Sequence, residues 1–158
     1  MAERLLGWPG GLTVCDAVAV ATEPFATGGA TVAATPAELA AGSDVISVMV
    51  RDDDQVRLVL TGPDGILAAA RPGTIVAVHS TVEAETPAEL AVAAAVAEVH
   101  LLDAPVSGGF MGAAQGTLAV MVGGEAAAVE AVREPFGCFA TLVAHVGPVG
   151  AGTRAKLA

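Results

Sequence analysis

Short apolar runs recur along the chain, separated by longer Ala-rich or amphipathic stretches. Val45 to Val50, Thr74 to His79, Val99 to Leu102, Thr117 to Val122 and Leu142 to Val146 have the length and β-branched content of buried strands. Leu12 to Cys15 and Ala30 to Ala33 are briefer runs of the same kind. Between them, Ala17 to Ala26, Asp52 to Leu60, Ile66 to Ala70, Pro87 to about Ala97 and Glu125 to Val132 read as helices, and a further helix opens at Thr153. Met1 to Gly7 has helical composition but is broken by Pro9-Gly10-Gly11, as the end of a helix would be. Strands alternating with helices predict βαβ units with right-handed crossovers, hence an α/β fold whose mostly parallel sheet carries helices on both faces. Ligands of such sheets bind beyond the carboxyl ends of the strands.

The hexapeptide Thr-Pro-Ala-Glu-Leu-Ala occurs twice, at 35–40 and 86–91. Its threonine, proline and glutamate suit an N-cap, a first helical position and a reciprocal capping contact. The flanks do not match, so shared capping chemistry explains the recurrence better than duplication. The almost wholly apolar helix that follows the second copy is expected to pack on the sheet with little solvent contact.

A chain of 158 residues with 54% hydrophobic and 15% charged positions is rich in interior and has the opposite composition from a disordered segment. Seven Lys and Arg against 17 Asp and Glu leave a formal charge of -10, which argues against nucleic acid as a partner. Cys15 and Cys138 are isolated and read as buried reduced thiols, with no His/Cys cluster to suggest a metal. His79, His100 and His145 are widely spaced strand-end residues. No apolar run approaches the roughly 18 residues of a membrane span, and the N-terminus lacks signal-peptide features, so a cytoplasmic location is expected.

Three polar features fall at strand ends: Asp16, Ser80-Thr81, and Asp103-Ala104-Pro105-Val106-Ser107-Gly108-Gly109. Ser107 offers a hydroxyl beside two residues without side chains, where backbone N–H groups can approach a small carboxylate. A glycine-rich turn that only redirects the chain is the alternative reading of those residues. Gly147 to Gly152 follows a strand and opens a helix, but its G-x-x-G-x-G spacing with Lys156 four residues on fits neither phosphate-loop pattern.

DAPVSGG, the following GTLAVMVGG and the terminal GPVGAGTRAKLA together resemble the β-hydroxyacid dehydrogenase family, in particular 3-hydroxyisobutyrate dehydrogenases and 2-hydroxy-3-oxopropionate reductases. The 6-phosphogluconate dehydrogenases share parts of the pattern. The resemblance implies hydride transfer between a small anionic 3-hydroxy acid and NAD, with NADP possible. In it Lys156 matches the catalytic lysine, and Ser107, Gly108 and Gly109 match the residues that hold the substrate carboxylate. Met49, Val50 and Arg51 match a segment that passes the cofactor, with Gln55 nearby, and Thr81 with Ser80 matches a contact near the nicotinamide ribose. Asp16 matches the acidic position that favours NAD, because a 2′-phosphate would meet a like charge there.

Departures accompany the match. Arg51 stands where the family usually has proline, and His79 where it usually has an acidic residue. Placed on the family, residues 1–158 form a partial NAD(P)-binding domain of Rossmann-like fold that starts in the first helix and ends at the start of the interdomain helix. The first strand, its GxGxxG loop and the C-terminal helical domain would then be lacking. In the family's strand order the lacking strand is central, leaving Leu12 to Cys15 and Val45 to Val50 each short of a neighbour. A fragment of that kind is expected to be inactive by itself, with homo-oligomers formed only by the full-length protein. The alternative is a non-enzymatic remnant or protein-interaction module that keeps part of the fold. An imine reductase of the same fold is disfavoured by Lys156.

Overall fold

The computed structural model describes residues 1–158. Its centre is a strand buried on both faces, β4 (Ile75–Val78), flanked in parallel by β3 (Val45–Val48) and β5 (His100–Asp103). Because side chains alternate along a strand, Val76 and Val78 enter one core and Ile75 and Ala77 the other. The first core is closed by Val56 and Leu60 of α3 (Asp53–Thr61), Leu90 and Ala94 of α4 (Thr86–Val96), and Ala40 of α2 (Pro36–Ala41). The second is closed by Ala128, Val129, Val132 and Phe136 of α6 (Ala126–Phe136), with Phe139 beside them. Helices on both faces of a mostly parallel sheet are thus present.

Beyond β5 the direction changes. β6 (Val106–Ser107) and β5 both pair antiparallel with β7 (Leu118–Gly123), while β8 (Ala140–Gly147) pairs parallel with β7. The short α5 (Gly109–Gln115) joins β6 to β7, and α7 (Ala151–Leu157) closes the chain. Neither β6 nor α5 is visible in the apolar pattern, because a two-residue strand and a seven-residue helix rich in Gly and Ala leave no periodicity to read. α6 also runs four residues past Val132, through Pro135, and α7 begins two residues before Thr153.

β1 (Thr13–Val14) and β2 (Thr31–Val32) form a separate two-stranded parallel sheet, linked by a 3₁₀ turn over Ala19–Thr22 and by α1 (Glu23–Thr27). β1 pairs only with β2 and β3 only with β4, so each keeps one unpaired edge. The N-terminal helical stretch is a 3₁₀ turn over Ala2–Leu5, with Met1 and Leu5 packed against the second core.

Two expectations from the hexapeptide are corrected. Thr35 does cap α2, accepting from Glu38 N at 3.1 Å, while Glu38 accepts from Ala34 N at 2.7 Å. Thr86 does not cap: it lies inside α4 and donates its hydroxyl to Asp53, whose carboxylate also accepts from Glu83 N. Nor is α4 shielded from solvent. Only the stripe carrying Leu90 and Ala94 faces the sheet, leaving Val92 70% and Val96 85% exposed.

This partition predicts unequal costs for identical substitutions. Val76→Ala, in the fully buried central strand, should lower the unfolding free energy by about 2 kcal/mol, and Val92→Ala should change it by less than about 0.5 kcal/mol. Urea denaturation of both variants measures the difference.

Candidate active-site cleft

The carboxyl ends of β3, β4 and β5 carry polar groups that stitch neighbouring strands together. Ser80, directly after β4, donates its hydroxyl to Val50 O at 2.9 Å and accepts from Val50 N at 2.8 Å. It therefore fixes the turn after β3 instead of facing a ligand, and Thr81, exposed, is the residue of that pair with a free side chain. Gln55 is likewise engaged: its Oε1 accepts from Arg51 N at 3.1 Å, while Asp52 caps α3 through Gln55 N at 2.9 Å. Arg51 and Met49 are exposed on this turn, and Val50 is partly buried.

His79, 1% exposed, occupies the same layer. Its Nδ1 donates to Ala104 O at 2.7 Å, which leaves Nε2 to accept from the Ser47 hydroxyl at 3.0 Å. The ring also lies against Phe136 and Phe139, with centroids 5.0 and 5.8 Å away. Burial holds the imidazole neutral, down at about 4, against the opposing pull of the Ala104 carbonyl. One histidine thereby links β3, β4 and the turn leaving β5, a connection that its strand-end position in the sequence does not reveal.

Asp103 ends β5 at 1% exposure. Its Oδ1 accepts from Gly150 N at 2.7 Å and its Oδ2 from Thr153 N at 2.6 Å, at the start of α7. Burial pushes this carboxyl above the ordinary aspartate range, and the donated N–H bonds pull it only partly back.

From Asp103 the chain passes Pro105 into β6, where Ser107 sits exposed at the mouth of an open cleft of about 690 Å³. Gly108 and Gly109 follow with φ of 126° and 58°, conformations that L side chains rarely adopt. A Cβ at Gly108 would also meet Leu118 at 3.0 Å. Lys156, on the last turn of α7, reaches the same cleft and donates its ammonium to Val106 O. Met49, Met1 and Phe110 also line the cleft. Residues from three distant parts of the sequence, Met49, Ser107 to Gly109, and Lys156, are thus gathered around one cavity.

Asp16, Arg51, Gln55, Ser80 and Thr81 lie outside that cavity. Asp16, beside the separate small sheet, accepts from Val18 N through Oδ1 at 2.8 Å, leaving Oδ2 unengaged. No group of His, Cys, Asp or Glu is arranged to hold a metal ion, Cys15 and Cys138 are unpaired, and no helix is long and apolar enough to cross a membrane.

Comparison with known proteins decides the family. Residues 1–147 match the family described as the NAD binding domain of 6-phosphogluconate dehydrogenase. The chain belongs to this family. An uncharacterized oxidoreductase of Mycobacterium tuberculosis is 51% identical over 100% of the chain and 53% of the relative. An NAD-dependent L-serine dehydrogenase of Pseudomonas aeruginosa is 38% identical over 99% of the chain and 53% of the relative. Among solved structures, a 3-hydroxyisobutyrate dehydrogenase of Mycobacterium tuberculosis with L-serine superposes with a TM-score of 0.92 at 34% identity, covering 99% of this chain and 53% of that one. The chain spans about half the length of these relatives.

The buried histidine carries a pH signature. An unfolded histidine takes a proton near 6.5 and His79 only near 4, so between those values the unfolded state binds more protons and stability falls as pH is lowered. Urea unfolding at pH 7 and pH 4.5 should show about 2 kcal/mol lost from this group. His79→Gln, which does not titrate, should lose correspondingly less over the same interval.

Proposed function

We propose that the chain supplies the carboxylate cradle and the proton-transferring lysine of an NAD-dependent oxidoreductase that transfers hydride between the cofactor and a small 3-hydroxy acid or its 3-oxo partner, of the 3-hydroxyisobutyrate or 2-hydroxy-3-oxopropionate type. The observation that carries this reading is the placement of the Lys156 amine at the Val106 carbonyl, in one cleft with Ser107, Gly108 and Gly109. Lys156 is the only lysine of the chain.

In this reading the Ser107 hydroxyl and the backbone N–H groups beside Gly108 and Gly109 bind the substrate carboxylate and fix the carbinol carbon relative to Lys156. Lys156 takes the hydroxyl proton as the adjacent carbon is oxidised, and returns it when the ketone or aldehyde is reduced. Proton transfer of this kind contributes about 10²- to 10⁴-fold in rate. NAD, when bound, supplies the hydride acceptor. Asp16 would accept from the ribose diol and repel a 2′-phosphate, favouring NAD over NADP. Thr81, Met49, Val50 and Arg51 would line the path toward the ring, with Ser80 and Gln55 holding that turn in shape. Residues 1–158 are in this view one partial NAD(P)-binding domain, and substrate selection and assembly into homo-oligomers belong to the longer protein.

In a longer polypeptide carrying this chain, Lys156→Met should lower turnover of a 3-hydroxy acid by about 10²- to 10⁴-fold while NADH affinity stays within about twofold. Turnover retained in the variant would exclude Lys156 as the base. The 158-residue chain contains no glycine-rich strand-to-helix turn of dinucleotide spacing to hold a diphosphate. Fluorescence titration of the isolated chain with NADH should accordingly show no saturation at micromolar concentration, and no turnover.

A further inference from the structure

We propose that Asp103 is the positioning residue of the cleft, the group that sets the Lys156 amine against the Ser107 to Gly109 cradle by capping α7 from the end of β5. The inference rests on the reading of Lys156 as the base, but its geometry is independent of that reading.

The first turn of a helix presents backbone N–H groups with no partner inside the helix. The N-cap of α7 is Gly150, which sits at φ 91° and has no side chain to offer as a cap. The Asp103 carboxylate, 47 and 50 residues away in sequence, takes that place with both oxygens, one on Gly150 N and one on Thr153 N. A carboxylate here also faces the positive end of the helix, so hydrogen bonding and charge act in the same sense.

Lys156 follows Thr153 by three residues, about one helical turn. Its amine donates to Val106 O, and Val106 follows Asp103 by three residues in turn. The contacts form a closed circuit: Asp103 holds the base of α7, Val106 holds the lysine at its last turn, and two residues of chain join the two anchors. Displacing the carboxylate therefore shifts both walls of the cleft relative to each other.

The surroundings leave it little freedom. A Cβ at Gly152 would stand 2.6 Å from Asp103 O and 3.1 Å from Oδ2, besides striking Met121 O. A Cβ at Gly123 would strike Asp103 Oδ1 and stand 2.6 Å from Pro148 O. Both glycines are required because backbone is packed directly against the carboxylate. A cap serving only to start a helix at the surface needs no such enclosure, whereas one that must hold a side chain to a fraction of an ångström does.

Because Lys156 is the sole lysine, isotope-labelled lysine gives one side-chain NMR signal from the whole protein. In the wild-type chain the Gly150 and Thr153 amides should exchange slowly, and the Lys156 side chain should show the heteronuclear NOE of an ordered group. Asp103→Asn, which turns one acceptor oxygen into a donor facing an N–H, should move the Lys156 signal toward that of free lysine and speed exchange of both amides at least about tenfold. Val132→Ala, in the second core and away from the cap, serves as the control: matched in lost stability, it should leave the Lys156 signal in place. In a longer polypeptide that turns over, Asp103→Asn should lower kcat at least about tenfold with the KM for NADH within about twofold.

An ordered, unmoved Lys156 signal in folded Asp103→Asn overturns the proposal, as does a shift of equal size in Val132→Ala. If Asp103→Asn does not fold, the wild-type measurement decides: fast exchange at Gly150 and Thr153, or a freely rotating Lys156, overturns it. Retained turnover in Lys156→Met would remove the functional reading while leaving the Asp103 result standing, so the two failures are told apart.

Discussion

Burying the central strand β4 on both faces, with β3 and β5 paired along its edges, is the constraint from which the site follows. Strand interiors can satisfy their backbone within the ladder, but each strand must end, and the residues just past its end meet the two cores with polar groups to place. Here those ends are Ser47 to Val50, His79-Ser80 and Asp103-Ala104. Each polar side chain finds its partner on a neighbouring element: Ser80 on Val50, His79 on Ser47 and Ala104, Asp103 on α7. A layer of cross-strand hydrogen bonds results at the carboxyl edge of the sheet, and the cleft lies just outside it. Buried and well satisfied, such a layer is costly to rearrange, which suits a surface that must present reactive groups at fixed spacing.

Much of this was legible in the sequence, and the exceptions have physical reasons. Val45 to Val50, Thr74 to His79 and Thr117 to Val122 declare themselves as strands because a strand covered on both faces must be apolar nearly throughout. DAPVSGG stands out in the sequence as a candidate stretch, a hydroxyl between a strand end and paired glycines, with a turn that only redirects the chain as the alternative reading. Pairings between distant residues were not visible. Nothing in the composition around Asp103 says that its carboxylate is spent on Gly150 and Thr153. Ser80 and Gln55 illustrate the converse: side chains whose type suits ligand contact are used to hold the turn on which the contacts sit. The two copies of Thr-Pro-Ala-Glu-Leu-Ala diverged for a similar reason, because Asp53 captures the Thr86 hydroxyl before it can cap.

The two sheets differ in how firmly they are held. β3, β4 and β5 are sandwiched between helices, while β1 and β2 contribute two residues each and none of them belongs to either core. Asp16 stands on the lesser sheet, and its position relative to the cleft depends on whatever joins β1 to β3. Open parallel edges such as these are templates for further pairing, and Val18, Val20 and Val32 add exposed apolar surface beside them. The cofactor contacts proposed for Asp16 and for Met49 to Arg51 come from the two sides of this opening. They act on one ligand only when the edges are bridged.

Lys156 is tied differently. Its anchor points, Asp103 and Val106, both belong to the firmly held sheet or to the turn leaving it, so the lysine and the carboxylate cradle keep their relation whatever happens between β1 and β3. In the proposed reading the division separates two functions within one domain: spacing of Lys156 against the Ser107 to Gly109 turn is set locally, by the Asp103 carboxylate enclosed between Gly123 and Gly152, whereas the contacts proposed for a cofactor lie across an open joint. Of the proposed site, the Lys156 and Ser107 to Gly109 part is the one whose spacing the fold of this chain determines by itself.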